Sequence, residues 1–325
     1  MHLSVVEFVA QLRDHEGVKR QKTSKAKGFE MEPLQNPDET VHVPTIISTS
    51  VGDPEQFALP TINMCVIHSI EVISVDKETG EESIELTRVM QTSHATEPGD
   101  QGINDPVEYY TITRELKDSI FGKVYHALKL ELVPAANVPV EGLPHPPPFN
   151  WQGGGAYRLR EIVPHVQLAV KVYFKQRLRD MTSKTYENPL AEFGAMQYLG
   201  VDNRYIMGQL GAYQDGDSVY SVMNFCDGGE LYDRVAESSL SEPQACRYFL
   251  QILMGLEYCH YMGVAHRDMS LENVIYDKQT DTVKIIDFGM CLKVPRDETT
   301  GTFLYIPPQG RPGKKNYISP EVLQN

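Results

Sequence analysis

Cysteine is scarce in this 325-residue chain. Cys65, Cys226, Cys246, Cys259 and Cys291 are odd in number and share no metal-ligand spacing. That argues against a thiolate metal site or a paired disulfide framework, and a reduced, cytoplasmic setting fits best. Long apolar runs are missing too, since none approaches the roughly 18 residues of a membrane helix. The opening MHLSVVEFVAQLRDHEG lacks both a basic stretch and a continuous apolar core, so it does not read as a signal peptide. Positive charge is short: 30 Lys and Arg face 44 Asp and Glu, for a net charge of −14. This disfavours non-specific binding to nucleic acid or anionic membrane. The expectation is a soluble chain with room for two domains.

What is present starts quietly. Leu3, Val6, Val9 and Leu12 have the spacing of a short amphipathic helix. VKRQKTSKAKG, residues 18 to 28, is basic without apolar period, a solvated tail in preference to a localisation signal. NMCVIHSIEVISV and SIELTRV flank DKETGEE, which predicts a β-hairpin turning at Gly80. TSHATEPGDQGINDP, residues 92 to 106, reads as a linker. Residues 1–107 therefore stand as an N-terminal region without legible chemistry, and 108–325 as a second domain.

The second domain begins β-rich and is interrupted by a Pro/Gly-rich insertion at about 134–164, an exposed loop read as a tolerated insertion in preference to a docking site for a partner. HVQLAVKVYF, residues 165 to 174, predicts a strand. Asn188 followed by Pro189 opens a helix that stops at Gly200. Ser241 with Gln244 forms a capping box for a longer helix ended by Gly263. Cys246, Phe249, Leu250, Leu253 and Leu256 keep helical spacing there, which predicts a core face. Strand-like VIYD and VKIID then bracket a turn, and AHRDMSLENV, residues 265 to 274, lies on the loop between helix and hairpin.

Phosphoryl transfer needs positioned metal ions, a cation on the phosphates and an acceptor for the hydroxyl proton. Asp268 and Asn273 are five apart, with Asp287-Phe288-Gly289 beyond them at a strand end. Oxygen ligands from Asn273 and Asp287 suit Mg²⁺ bridging nucleotide phosphates. From about Glu115 to Glu321 the chain resembles the eukaryotic protein kinase family, serine/threonine type, nearest in flavour to the calcium/calmodulin-dependent group. The resemblance implies an α+β bilobal fold, a β-rich lobe followed by a helical lobe. It also implies ATP and Mg²⁺ as cofactors and a protein substrate with a Ser or Thr acceptor. By that resemblance Lys171 of AVK holds the α- and β-phosphates, Glu192 orients Lys171, and Asp268 accepts the hydroxyl proton. Gly122, Val124, Ala169, Met223, Phe225, Cys226, Glu230 and Ile275 would surround the nucleotide. His266, Met196 and Phe288 would stack in a spine, and SPE at 319–321 stands for the APE triplet.

Four departures qualify the match. KDSIFGKV, residues 117 to 124, keeps only Gly122 of the glycine-rich loop, Lys117 and Ser119 replacing two glycines whose backbone would approach phosphates. Ser270 stands where the family has a catalytic-loop lysine, while Lys314 of GKKNYISPE stands where it has a threonine. Cation and hydroxyl have exchanged places, and since Coulomb attraction depends on where the charge sits, the exchange predicts a compensated active site. Arg267 precedes Asp268, yet QGRPG, residues 309 to 313, offers no hydroxyl for phosphorylation. Finally, only four residues follow Glu321, so the family's later helices are missing and an apolar face of the 242–262 helix is expected to be exposed. The rival expectation is an ATP-binding scaffold without catalysis.

Overall fold

The computed structural model describes residues 31–32, 62–94, 107–135, 157–181, 186–295, 297, 299–304 and 310–324. The expected N-terminal helix, the basic run at 18–28, residues 95–106 of the linker and the prolines from 139 to 148 lie outside them. After a two-residue strand β1 (Met31–Glu32), the described residues divide into two compact units.

The first unit is nearly all strand. β2 (Ile62–Val75) and β3 (Glu82–His94) form the expected hairpin. Its turn closes through Asp76 N–H to Glu81 O (2.9 Å) and Gly80 N–H to Asp76 O (3.0 Å), with Gly80 at φ 72°. β4 (Tyr109–Asp118), β5 (Gly122–Pro134), β6 (Tyr157–Glu161) and β7 (Gln167–Phe174) follow, then the short helix α1 (Lys175–Met181). β8 (Gly211–Gln214) and β9 (Ser218–Asn224) complete the sheet.

The hairpin shares one sheet with the later strands. β3 pairs antiparallel with β4 (Met90 opposite Tyr110), and β2 pairs in parallel with β6 (Val72 opposite Leu159). Since β4 pairs with β5 and β5 with β6, the pairings β2–β3–β4–β5–β6–β2 run in a closed circuit. Ile70, Val72, Val89, Tyr109, Leu130 and Leu159 form one of its apolar clusters. Glu161 fastens the seam, its Oε2 accepting from Val75 N–H (2.9 Å) and Ser74 Oγ (3.1 Å). A boundary at residue 107 thus cuts through one sheet, and the insertion drawn at 134–164 contains a strand, β6. Alternation alone missed both because the partners lie far away in sequence. A second cluster, with Met90, Tyr110, Leu168, Val170, Val172 and Val222, fills the space between β3, β4, β7 and β9.

The second unit holds the longer helices. α2 (Pro189–Leu199) starts as its sequence predicts, Asn188 Oδ1 accepting from Leu190 N–H (3.0 Å) and Ala191 N–H (3.3 Å), and Gly200 follows its end at φ 68°. α3 (Leu231–Glu237) precedes α4 (Glu242–Tyr261), where Gln244 Oε1 accepts from both the backbone N–H and the hydroxyl of Ser241. Next come β10 (Val264–Ala265), a 3₁₀ turn at Leu271–Asn273, and the hairpin β11 (Val274–Asp277) with β12 (Thr282–Ile285). β13 (Leu292–Lys293) pairs with β10, β14 (Phe303–Leu304) pairs in parallel with β1, and α5 (Pro320–Gln324) is last.

The face of α4 expected to be core is not buried. Cys246 and Phe249 are exposed and Leu250, Leu253 and Leu256 half-buried, whereas Tyr248, Gln251, Gly255 and Cys259 are buried. The buried side seats Tyr248 on Leu231, Val274, Tyr276 and Val283. Phe249 is the large apolar side chain of this stripe left exposed, at 57%.

Candidate active site

The loop between β10 and β11 is organised by its own polar side chains. His266 is buried, its Nδ1 accepting from Asp268 N–H (3.2 Å) while Nε2–H donates to Ile286 O (3.0 Å). Both ring nitrogens are used by the neutral imidazole, and burial lowers its pKa. Its ring meets Phe288 edge-on at 4.8 Å between centroids, so two of the three expected spine residues are in contact. Asn273 Nδ2 donates to Asp268 O (2.7 Å) and Oδ2 (2.8 Å), fixing the carboxylate of Asp268, itself 7% exposed. Arg267, at φ 66°, donates from Nε to Met290 O (2.7 Å), and burial lowers its pKa. Asp287, at φ 64°, accepts from Gly289 N–H at 3.3 Å.

Lys314 closes this loop from the far end of the chain. Its backbone N–H donates to Asp268 Oδ1 (3.0 Å), and its Nζ reaches Ser270 Oγ (2.7 Å), Asn273 Oδ1 (3.2 Å) and Asp268 Oδ2 (3.5 Å). The cation and hydroxyl that the sequence exchanges are thus hydrogen-bonded to each other, and Ser270 is buried beneath the lysine. The approach depends on Gly313, which sits at φ 101°. A Cβ there would stand 2.8 Å from Arg267 O. Gly313 N–H points to Met290 Sδ at 3.1 Å. Sequence reasoning overlooked Gly313 and Met290 as seat residues, although a glycine directly before the displaced lysine was a usable signal.

In the first unit, cross-strand register places four expected nucleotide contacts on one face. Val124 lies opposite Lys171 and Ala169 opposite Met223, so the four point away from the face bearing Leu168, Val170 and Val172. Lys171 Nζ is 5.2 Å from the Tyr173 ring centre. Gly122 opens β5 beneath a two-residue turn in which Ser119 and Gly122 exchange backbone hydrogen bonds (3.0 and 3.3 Å). A Cβ at Gly122 would overlap Val172 O at 1.8 Å, so strand packing alone requires glycine here. Phe225 stacks edge-on against His126 at 4.5 Å, with Arg114 5.9 Å from its ring centre. In the second unit, Glu192 is buried in α2, Glu230 bridges to Ile275, and burial pushes the Cys226 thiol up to about 12.

Comparison with known proteins gives this geometry a family. Residues 152–325 match the family described as protein kinase domain. The chain is 35% identical over 163 residues to calcium-dependent protein kinase 27 of Arabidopsis thaliana, covering 48% of this chain and 31% of that protein. It is 40% identical over 117 residues to calcium-dependent protein kinase 12 of Oryza sativa subsp. japonica, covering 35% and 20%. It is 43% identical over 108 residues to CBL-interacting protein kinase 17 of the same rice, covering 33% and 22%. The chain thus spans less than a third of the length of each of these relatives.

Proposed function

Because the chain belongs to the protein kinase family, we propose that it transfers the γ-phosphate of ATP to a serine or threonine hydroxyl of a protein, in a cytoplasmic setting and with Mg²⁺. One observation carries the reading: the ammonium of Lys314 lies on the catalytic loop, 2.7 Å from the Ser270 hydroxyl that stands in the family's lysine position.

Asp268 accepts the proton of the attacking hydroxyl, its carboxylate aimed by Asn273 Nδ2 and Lys314 N–H. The Lys314 charge sits beside Asp268, where negative charge on the transferred phosphoryl group gathers, and stabilises it electrostatically. Lys171 holds the α- and β-phosphates in this reading. Val124, Ala169 and Met223, on the same sheet face as Lys171, flank the base. Bound Mg²⁺ would neutralise phosphate charge. Asp287 suits it, a hard carboxylate that accepts the long Gly289 N–H bond.

Lys314→Ala should lower kcat about tenfold or more with little change in ATP affinity, the mark of a contact made in the transition state. The double variant Ser270→Lys/Lys314→Thr, which returns each group to the family's arrangement, should recover most of that loss. An unchanged rate in Lys314→Ala would end the exchange idea. A non-catalytic ATP-binding scaffold is the second reading, favoured by the self-bonded turn at Ser119–Gly122, whose amides point to each other's carbonyls. Binding of ATP without phosphate appearing on a generic Ser/Thr peptide would select it.

A further inference from the structure

Asn273 is the residue to which the sequence assigns a magnesium ion, yet its amide oxygen is already in use. The side chain cannot turn away, because Nδ2 donates to both the backbone oxygen and Oδ2 of Asp268, at 2.7 and 2.8 Å. That orientation fixes Oδ1 towards Lys314, whose Nζ lies 3.2 Å away. The ammonium is itself held by Ser270 Oγ at 2.7 Å and flanked by Asp268 Oδ2 at 3.5 Å, while its backbone is pinned by Gly313 and by the N–H bond to Asp268 Oδ1. A neutral amide oxygen has two lone pairs but no charge with which to screen a lysine from a divalent cation. Mg²⁺ also demands oxygen ligands at about 2.1 Å in near-ideal octahedral geometry, which a neighbouring ammonium on the same oxygen obstructs.

We infer that Asn273 holds the Lys314 ammonium in place of a second metal ion, so that this kinase works with one divalent cation, on Asp287. The lysine's fixed charge then stands where the family's second ion would, and Asn273 becomes a positioning residue for Lys314 and Asp268. The inference rests on the kinase reading above and goes beyond it, since a compensated active site could equally have kept two metal ions.

The test counts ions directly. With Mn²⁺ as probe and a non-hydrolysable ATP analogue, electron paramagnetic resonance should find one tightly bound Mn²⁺ in the full chain. Lys314→Ala, and independently Ser270→Lys/Lys314→Thr, should each bind two. As a second readout, once ATP is saturated with Mg²⁺, further free Mg²⁺ should leave the wild-type rate unchanged but raise that of Lys314→Ala severalfold. Two tight ions in the wild type would overturn the inference, and so would a count that stays at one when the lysine is removed. A chain that binds the analogue and one Mn²⁺ but transfers no phosphate would fail the kinase reading alone, because the ion count does not depend on turnover.

Discussion

At the scale of single residues, position matters more than identity. Lys314 and Ser270 were both legible in the sequence, because fixed motifs on either side locate them and only their chemistry is swapped. Which atoms the ammonium reaches was not legible, since that depends on Gly313 holding φ 101° against Arg267 O. Gly122 shows the opposite lesson. The sequence reads it as a residue for phosphates, while the structure supplies a reason that involves no ligand, Val172 O lying where a side chain would begin. Gly122→Ala must therefore displace β-sheet backbone. It should lower stability by about 2 kcal/mol or more, a drop of several degrees in Tm whether or not nucleotide is present. A loss of ATP affinity with unchanged Tm would instead make Gly122 a nucleotide residue only.

At the scale of elements, helix ends were the most readable parts of the chain. Asn188, Pro189 and Gly200 around α2, and Ser241 with Gln244 at α4, act on backbone groups within one turn, so nothing distant can override them. Which face of α4 is buried was a different matter. Apolar spacing singles out Phe249 and Leu253, yet the packed side is built on Tyr248, Gln251 and Gly255, and Gln251 Oε1 even caps Val283 N–H of β12 at 2.8 Å. Periodicity reports which residues are apolar, and tertiary contacts decide which face is packed. Tyr248→Ala should cost about 3 kcal/mol, as expected for emptying a buried aromatic site. Phe249→Ser, at a site 57% exposed, should leave Tm within a degree or two in thermal unfolding. Equal destabilisation by both would mean the stripe is covered in solution.

At the scale of the whole molecule, acid sensitivity follows from histidines held neutral, His126 and His266 among them. His126 accepts from Thr113 Oγ1 at Nδ1 and donates from Nε2 to Gln167 Oε1 (3.1 Å), and burial lowers its pKa as it does that of His266. A histidine whose folded pKa lies below its unfolded value of about 6.5 contributes stability that is complete above that pH and declines as pH falls. Melting temperature should therefore be level from pH 8 to about 7 and fall on acidification past about 6.5. A second loss belongs near the carboxylate range. Burial alone would raise Glu108, but bonds from Lys129, Tyr110 and Tyr213 outweigh it and hold its carboxyl low, so that its contribution disappears only in stronger acid. A melting temperature unchanged between pH 7 and 5 would show that neither imidazole reports on folding.

The strand circuit of the first unit carries a consequence in time. Its seam joins Ser74 to Glu161 across 87 residues, so the ring cannot close while the polypeptide between them is still being made. At about 5–20 residues per second, the β2–β3 hairpin, finished at His94, waits roughly 3–13 s on the ribosome for Glu161. Through that interval Ile70, Val72 and Val89 have no Leu159 to cover them. The newborn chain passes through a stage in which this hairpin is formed but open on its apolar side, and chaperones that bind such surfaces have their opportunity then.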